Sequence, residues 1–371
     1  MAKKIRVLVV DDSALMRKHL RELLTETGEF EVTTARDGRD ALELLHKIDP
    51  DVITLDINMP EMDGLTCLAR IMTERPKPVV MVSSLTEKGA QVTYEALALG
   101  AVDYIPKPDG TISLNLRNSS AQIIAKVQAA AGARISRVRG LGERLRSESG
   151  RSATAKSRAT NPITAAESRD LGIVLIGVST GGPRVLEEIL PDLPADFPWP
   201  ILIAQHMPRN FTGTFARRLD AICQIGVEEV SDRSALRPGR AYVGRGDADL
   251  VLLKRGGDWI AATVPCDSER IWHPSVARMV ETAMACLAPE RLVGVMLTGM
   301  GDDGAEAMAE LHRNGGRTVA EAESTAVVFG MPGELVKRGG ADAVLPSYQI
   351  AQKLNQWLPA GVGQTLSRRI S

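Results

Sequence analysis

The chain has 371 residues, 45 Lys and Arg against 46 Asp and Glu, with 44% hydrophobic and 25% charged residues. A formal net charge of −1 gives no global case for a nucleic-acid or membrane-surface partner, and the length predicts two domains rather than one. The cysteines, Cys67, Cys223, Cys266 and Cys286, form no C-x-x-C pair, so neither a disulfide framework nor a zinc site is signalled and a reducing cytoplasm is the expected location.

The opening MAKKIRVLVVDD joins a basic flank to an apolar run that is too short for a bilayer and ends in two aspartates, so it reads as a buried first strand. No later apolar run is long enough either, and the protein is expected not to be membrane-inserted. Apolar bursts of strand length follow: FEVTTA, DVITLD, KPVVMVS and VDYI. Amphipathic segments of helix length separate them, among them ALMRKHLRELLTET, in which Leu15, His19 and Leu23 are spaced by four. Strand and helix alternating five times predict a doubly wound α/β domain over residues 1–130, with five parallel strands covered on both faces. Between Arg134 and Arg158 eight basic residues stand against two acidic ones among many Ser, Ala and Gly. Residues 131–168 therefore read as a flexible basic linker. A second α/β domain, Rossmann-like, is expected over 169–358, with GIVLIG, PILIAQ and RLVGVML as buried strands. DLVLLKRGGDWIAATV breaks that pattern as an antiparallel hairpin turning at Arg255–Asp258. Residues 359–371 are left as a tail.

In a doubly wound sheet the loops at the carboxyl ends of the strands converge on one rim. Asp11 and Asp12 end the first strand, Asp56 the third, Ser83 and Ser84 the fourth, and Lys107 follows the fifth. Clustered carboxylates repel one another unless a cation sits among them, and hard oxygen ligands suit Mg²⁺. A magnesium beside a carboxylate polarises an incoming phosphoryl group, which makes Asp56 a phosphoryl acceptor. Strand-end caps and a solvated lysine explain each residue singly. Four strand ends delivering them to one rim favour the functional reading.

VLVVDDSALMR, LDINMPEMDGL, VVMVSSLT and DYIPKP resemble the receiver domain of bacterial two-component response regulators, over residues 4 to 128. The resemblance implies phosphorylation of Asp56 by a histidine kinase, and Mg²⁺ held by Asp11, Asp12, Asp56 and the backbone of Asn58. It also implies Ser83 as the switch hydroxyl, Lys107 as the switch lysine, Tyr104 as the aromatic that changes rotamer, and strand order 2-1-3-4-5.

A receiver needs an output, and the strand-rich second block offers no basic recognition helix for DNA. Its first segment, GIVLIGVSTGGPRVLEEIL, is a strand, a Gly-rich turn and a helix opened by proline. Ser179 breaks the G-x-G-x-x-G dinucleotide pattern, and no Gly-Lys-Ser/Thr follows for a P-loop. G-x-S-x-G instead fits a nucleophile elbow. A serine needs a base. His19 and His46 lie on helices of the first block and His312 late in a helix, all read as packing or surface residues. His206 directly follows PILIAQ, which places it at the same sheet edge as Ser179 if the two strands are parallel; His273, before Pro274-Ser275, is the second candidate. RLVGVMLTGMGDDGAEAMAEL then supplies Asp302 and Asp303 for an orienting carboxylate, with helix capping as the alternative. The Gly299-Met300-Gly301 turn offers N–H groups to an oxyanion.

IGVSTGGP, IAQHMPRNFTGTFARRLD, HPSV, VMLTGMGDDGAEAM and VVFGMP resemble the catalytic domain of the chemotaxis receptor methylesterases. The resemblance implies hydrolysis of glutamyl methyl esters on chemoreceptor cytoplasmic domains and deamidation of certain receptor glutamines, both through an acyl-enzyme, with a chemotaxis histidine kinase as phosphodonor. Carried over by position, Ser179 is nucleophile, His206 base, Asp303 the orienting acid, Met300 an oxyanion donor and Thr180 an assisting neighbour. The esterase needs no cofactor. The receiver face around Tyr104 is expected to cover the catalytic rim until phosphorylation. Two departures stand out: Asp302 sits where the family often has Asn, and YVGRGDADL replaces a commoner Tyr-x-Ala-Pro-Gly pattern. The rival reading is a receiver-gated, non-catalytic module whose GVSTGG loop holds an anion or a protein.

Overall fold

The computed structural model describes residues 3–84, 86–107, 112–133 and 171–358. The expected linker lies outside the described residues from position 134 onward, as does the tail.

Five strands build the first sheet: β1 (Ile5–Val10), β2 (Phe30–Ala35), β3 (Val52–Asp56), β4 (Val79–Ser83) and β5 (Asp103–Pro106). They pair in parallel in the order β2-β1-β3-β4-β5. β3 and β4 are buried at every residue, which is why they read as unbroken apolar runs rather than alternating ones. The crossovers are α1 (Ala14–Glu26), α2 (Gly38–Ile48), α3 (Gly64–Glu74) and α4 (Glu87–Leu99), and α5 (Ile112–Ala131) closes the unit. Ser13, Asp37, Asp63 and Thr86 cap α1 to α4 by accepting first-turn N–H groups, so the loops at the strand ends lead straight into fixed helices. The buried face of α1 is not the Leu15–His19–Leu23 stripe. Leu20 and Leu24 are buried, Leu23 packs at the core edge and Leu15 is 56% exposed. Two apolar stripes satisfy the same four-residue spacing, and contact with the sheet selects between them.

The second unit has a seven-stranded parallel sheet ordered β15-β14-β13-β6-β7-β10-β8. Its strands are β6 (Ile173–Val178), β7 (Ile201–Gln205), β8 (Gly226–Val230), β10 (Arg240–Gly244), β13 (Leu292–Met296), β14 (Arg317–Glu321) and β15 (Ala343–Leu345). Its principal helices are α6 (Gly182–Ile189), α7 (Arg209–Ile222), α8 (Val276–Cys286), α9 (Ala305–Arg313), α10 (Met331–Lys337) and α11 (Ser347–Trp357). The antiparallel excursion is present: β11 (Asp249–Arg255) pairs β12 (Asp258–Val264) with Arg255 opposite Asp258. Gly256 and Gly257 take φ of 60° and 97° at the turn, as a two-residue hairpin requires. A third strand, β9 (Arg233–Ala235), joins β12.

Strand order reverses beside β1 in the first sheet, which lies between β2 and β3, and beside β6 in the second, which lies between β7 and β13. Loops part at such points and leave a crevice at the carboxyl edge. Asp11 and Asp56 end β1 and β3; Ser179 follows β6. The two units pack on each other through α4 and α7, and Tyr94 and Tyr104 of the first share a continuous apolar cluster with Phe211 and Phe215 of the second. Among the described residues no helix is long and apolar enough to cross a membrane.

Candidate active site

The acidic rim forms as the strand ends dictate. Asp11, Asp12 and Asp56 each bring a carboxylate oxygen within 4.8 Å of the others. Lys107 Nζ donates to Asp56 Oδ2 at 2.7 Å and lies 3.4 Å from Asp11 Oδ2. Burial pushes both the Asp11 and Asp56 carboxyls up, with mutual repulsion adding to Asp11 and Lys107 pulling both down. Three clustered carboxylates, Asp11 and Asp56 buried and Asp12 exposed, with one lysine for compensation suit a divalent cation. The exposed Asn58 donates its N–H to Asp56 Oδ1 at 3.3 Å. The loop after β3 folds back so tightly that a Cβ on Gly64 would sit 2.2 Å from the Asp56 carbonyl oxygen; only glycine allows that approach. Ser83 Oγ accepts from Thr93 Oγ1 at 2.7 Å.

At the second crevice, β6 and β7 are parallel with Val178 opposite Gln205, so Ser179 and His206 leave the same edge on adjacent strands. The His206 N–H donates to the Val178 carbonyl at 3.1 Å, and Gln205 Nε2 donates to the Ser179 carbonyl at 3.0 Å. β13 supplies the other wall. The Ser179 N–H donates to the Thr298 carbonyl at 3.0 Å, and Thr298 Oγ1 donates to the Thr180 carbonyl at 2.9 Å. A Cβ on Gly299 would sit 2.8 Å from Ser179 Cβ, so that glycine lets the two loops close.

His206 Nε2 lies 2.8 Å from Asp303 Oδ2. Asp303 also accepts the N–H groups of Val276 and Ala277 at 2.7 and 3.1 Å and the hydroxyl of Ser275 at 3.1 Å. Burial alone would raise its pKa, but His206 and the two N–H groups hold it below the ordinary aspartate value. The capping role is therefore real, yet it serves α8 rather than the helix that Asp303 precedes: α9 starts from Gly304 with no side-chain cap. Asp302 points elsewhere, 3.6 Å from Arg338 and 68% exposed at its side chain, and does not crowd the imidazole. His206 Nδ1 is buried and has no hydrogen-bond partner, and no hydrogen bond joins His206 to the Ser179 hydroxyl among the described residues. The Gly299 N–H is taken by the Val328 carbonyl at 3.0 Å. The expected oxyanion turn thus keeps Met300 and Gly301 as its N–H groups without an internal partner among the described residues.

His273 is not in this cluster. Its Nδ1 lies 2.8 Å from Asp249, a second aspartate–histidine pair. His46 is on the surface, and His312 pairs with Asp342 at 3.2 Å. Sequence reasoning missed Asp249, Trp272, Thr298 and Glu321. Trp272 stacks on His206 with centroids 5.4 Å apart and planes 10° from parallel. Glu321 Oε2 accepts the Thr298 N–H at 2.8 Å. An acid closing the short strand RTVAE was the one available signal for Glu321. In the departing YVGRGDADL stretch, Gly246 runs so close to the loop after His206 that a Cβ there would meet the Met207 carbonyl oxygen at 2.2 Å.

The first unit reaches this rim directly. Tyr104 stacks on Phe211 at 4.5 Å, and Tyr94 OH donates to the Phe211 carbonyl at 2.9 Å. Thr180 Oγ1, expected to assist the nucleophile, donates to Asp103 Oδ2 of β5.

Residues 7–116 match the response regulator receiver domain family and residues 174–354 the CheB methylesterase family. A protein-glutamate methylesterase/protein-glutamine glutaminase of Rhodospirillum rubrum is 59% identical over 95% of this chain and 96% of its own. One of Rhodopseudomonas palustris is 52% identical over 95% of this chain and 98% of its own. The solved CheB methylesterase catalytic domain of Thermotoga maritima is 39% identical and covers 50% of this chain and 97% of that one, with a TM-score of 0.48.

Proposed function

Because the chain belongs to the CheB methylesterase family, in which a receiver precedes an esterase, we propose that it hydrolyses glutamyl methyl esters and deamidates glutamines of chemoreceptor cytoplasmic domains through a serine acyl-enzyme. The observation that carries this reading is the His206–Asp303 pair at 2.8 Å, on the strand end beside Ser179.

In the proposed first step Ser179 Oγ attacks the side-chain ester carbonyl carbon and His206 Nδ1 takes the hydroxyl proton. Asp303 fixes Nε2 as the protonated nitrogen and stabilises the imidazolium. The Met300 N–H donates to the oxyanion. Collapse breaks the bond to the methoxy oxygen, which leaves as methanol with the proton from His206. Water then attacks the acyl carbon and gives its proton to the same nitrogen; collapse breaks the bond to Ser179 Oγ, which takes that proton back from His206 as the glutamate side chain leaves. A glutamine follows the same course with ammonia as the leaving group.

Control belongs to the receiver, proposed over residues 1–130 and joined through 131–168 to an esterase over 169–358. A chemotaxis histidine kinase is the proposed phosphodonor to Asp56, and the cytoplasm the proposed location. The acidic cluster fits Mg²⁺, with Asp11, Asp12, Asp56 and the Asn58 backbone as its holders; when bound it offsets the charge of the incoming phosphoryl group. Ser83, Lys107 and Tyr104 then rearrange, and Tyr104 is part of the packed surface against Phe211.

The test is methanol release from methylated chemoreceptor membranes, with and without a small-molecule phosphodonor. Release that rises with phosphodonor and disappears in Ser179→Ala is expected. Release that survives Ser179→Ala would remove the serine route.

A further inference from the structure

Trp272 occupies the loop between β12 and α8. Its indole lies parallel to the His206 imidazole, and its Nε1 is 3.6 Å from where a Cβ on Gly301 would stand. One ring therefore spans from the histidine to the turn that carries Met300. The loop is pinned. Asp249, fully buried, accepts from His273 Nδ1 at 2.8 Å, Arg278 at 2.7 Å, and the N–H groups of Ser275 and Asp267 at 2.9 and 3.1 Å. Arg270 ties the same loop to Asp267 and, at 2.7 Å, to Glu281 of α8. Charge-assisted bonds to a buried carboxylate are strong and directional, so the residues on both sides of Trp272 are fixed before any substrate arrives.

An imidazole held by one nitrogen can still turn about that hydrogen bond. A flat aromatic surface against its face removes the rotation, and it attracts the ring more strongly once the ring is positively charged. We propose that Trp272 is a positioning residue for the esterase, its indole face fixing the plane of His206 and stabilising the imidazolium, with the Asp249–His273 pair as the anchor of its loop. This rests on the reading of His206 as the general base.

The test uses the full chain, activated by phosphodonor, acting on methylated chemoreceptor membranes, with kcat and KM measured separately for Trp272→Phe, Trp272→Leu and Trp272→Ala. Leu and Ala are expected to lower kcat about tenfold with KM little changed, and Phe to restore most of the loss because it keeps an aromatic face. Equal thermal midpoints for Phe and Leu exclude a folding defect as the cause. Equal rates for Phe and Leu, or a loss confined to KM, would overturn the proposal. His206→Ala is assayed beside them: if it remains active, the reading of His206 as base fails, whereas an inactive His206→Ala with unaffected Trp272 variants sinks only the positioning role.

Discussion

The Thr180 hydroxyl donates to Asp103 Oδ2 at 2.5 Å across the boundary between the two α/β units, with Thr180 3% and Asp103 5% exposed. Thr180 is the neighbour of the proposed nucleophile, and Asp103 opens β5 of the receiver immediately before Tyr104. Lys126 holds the second oxygen of Asp103 at 2.8 Å. The packing of the two units thus draws the hydroxyl beside the proposed nucleophile into a bond with β5 of the first unit.

That bond should restrain basal activity. A hydrogen bond to a buried charged group is worth roughly 1.5–3 kcal/mol, so Asp103→Ala should raise unphosphorylated ester hydrolysis by about tenfold or more. The phosphodonor-activated rate should stay near wild type, which shrinks the stimulation ratio. Basal methanol release at or below wild type would show that the contact does not restrain the enzyme.

Asp303 and Asp302 should separate cleanly. Asp303→Asn alters the partner of His206 Nε2 and should lower kcat by about 10⁴, as for the equivalent change in a serine triad. Asp302→Asn removes only an exposed pairing with Arg338, worth roughly 0–1 kcal/mol, and should leave kcat within about twofold. Steady-state kinetics on the two variants decide; a crippled Asp302→Asn would reverse the assignment.

Asp56→Asn should abolish phosphodonor stimulation while basal hydrolysis persists, because the amide keeps the shape and removes the acceptor oxygen. It also takes one charge from the three-carboxylate cluster, so Mg²⁺ titration should report weaker binding. Stable acyl phosphate in Asp56→Asn would point to a different acceptor.

Glu321 should make stability pH-dependent. It sits beneath the Ser179 turn, holding Thr298, and burial pushes its pKa up from 4.5 to about 7, with Glu188 adding to the rise. A carboxyl raised in the folded state favours its protonated form there. Its contribution is full below about 4.5 and is lost as pH climbs through about 7, a swing on the order of 3 kcal/mol. Urea denaturation at pH 5 and pH 8 should show wild type losing stability over that interval and Glu321→Gln losing clearly less. Parallel losses in both proteins would assign the titration elsewhere.

The first sheet was legible because its central strands β1, β3 and β4 are largely buried on both faces and read as apolar runs that end in candidate site residues: Asp11 and Asp12 after IRVLVV, Asp56 within DVITLD, Ser83 within KPVVMVS. Ser179, His206 and Asp303 were legible for the same reason, since each follows such a run and the carboxyl ends of parallel strands share one edge. The weaker strands were not singled out: GVEEV and RTVAE carry charges, and AVL is too short to stand out from a loop. Which stripe of α1 is buried needed the structure, because spacing gives a helix its period but not its phase. Which aspartate faces His206 could not be decided by spacing either. Neighbours on a turn diverge, and only the N-terminus of α8, arriving from a distant part of the chain, captures Asp303 and leaves Asp302 to Arg338. The Trp272 stack, the Glu321 bond and the Asp103–Thr180 contact join residues 66, 23 and 77 positions apart. Nothing local in the sequence marks such pairs; the packing of loops and of the two units on each other creates them.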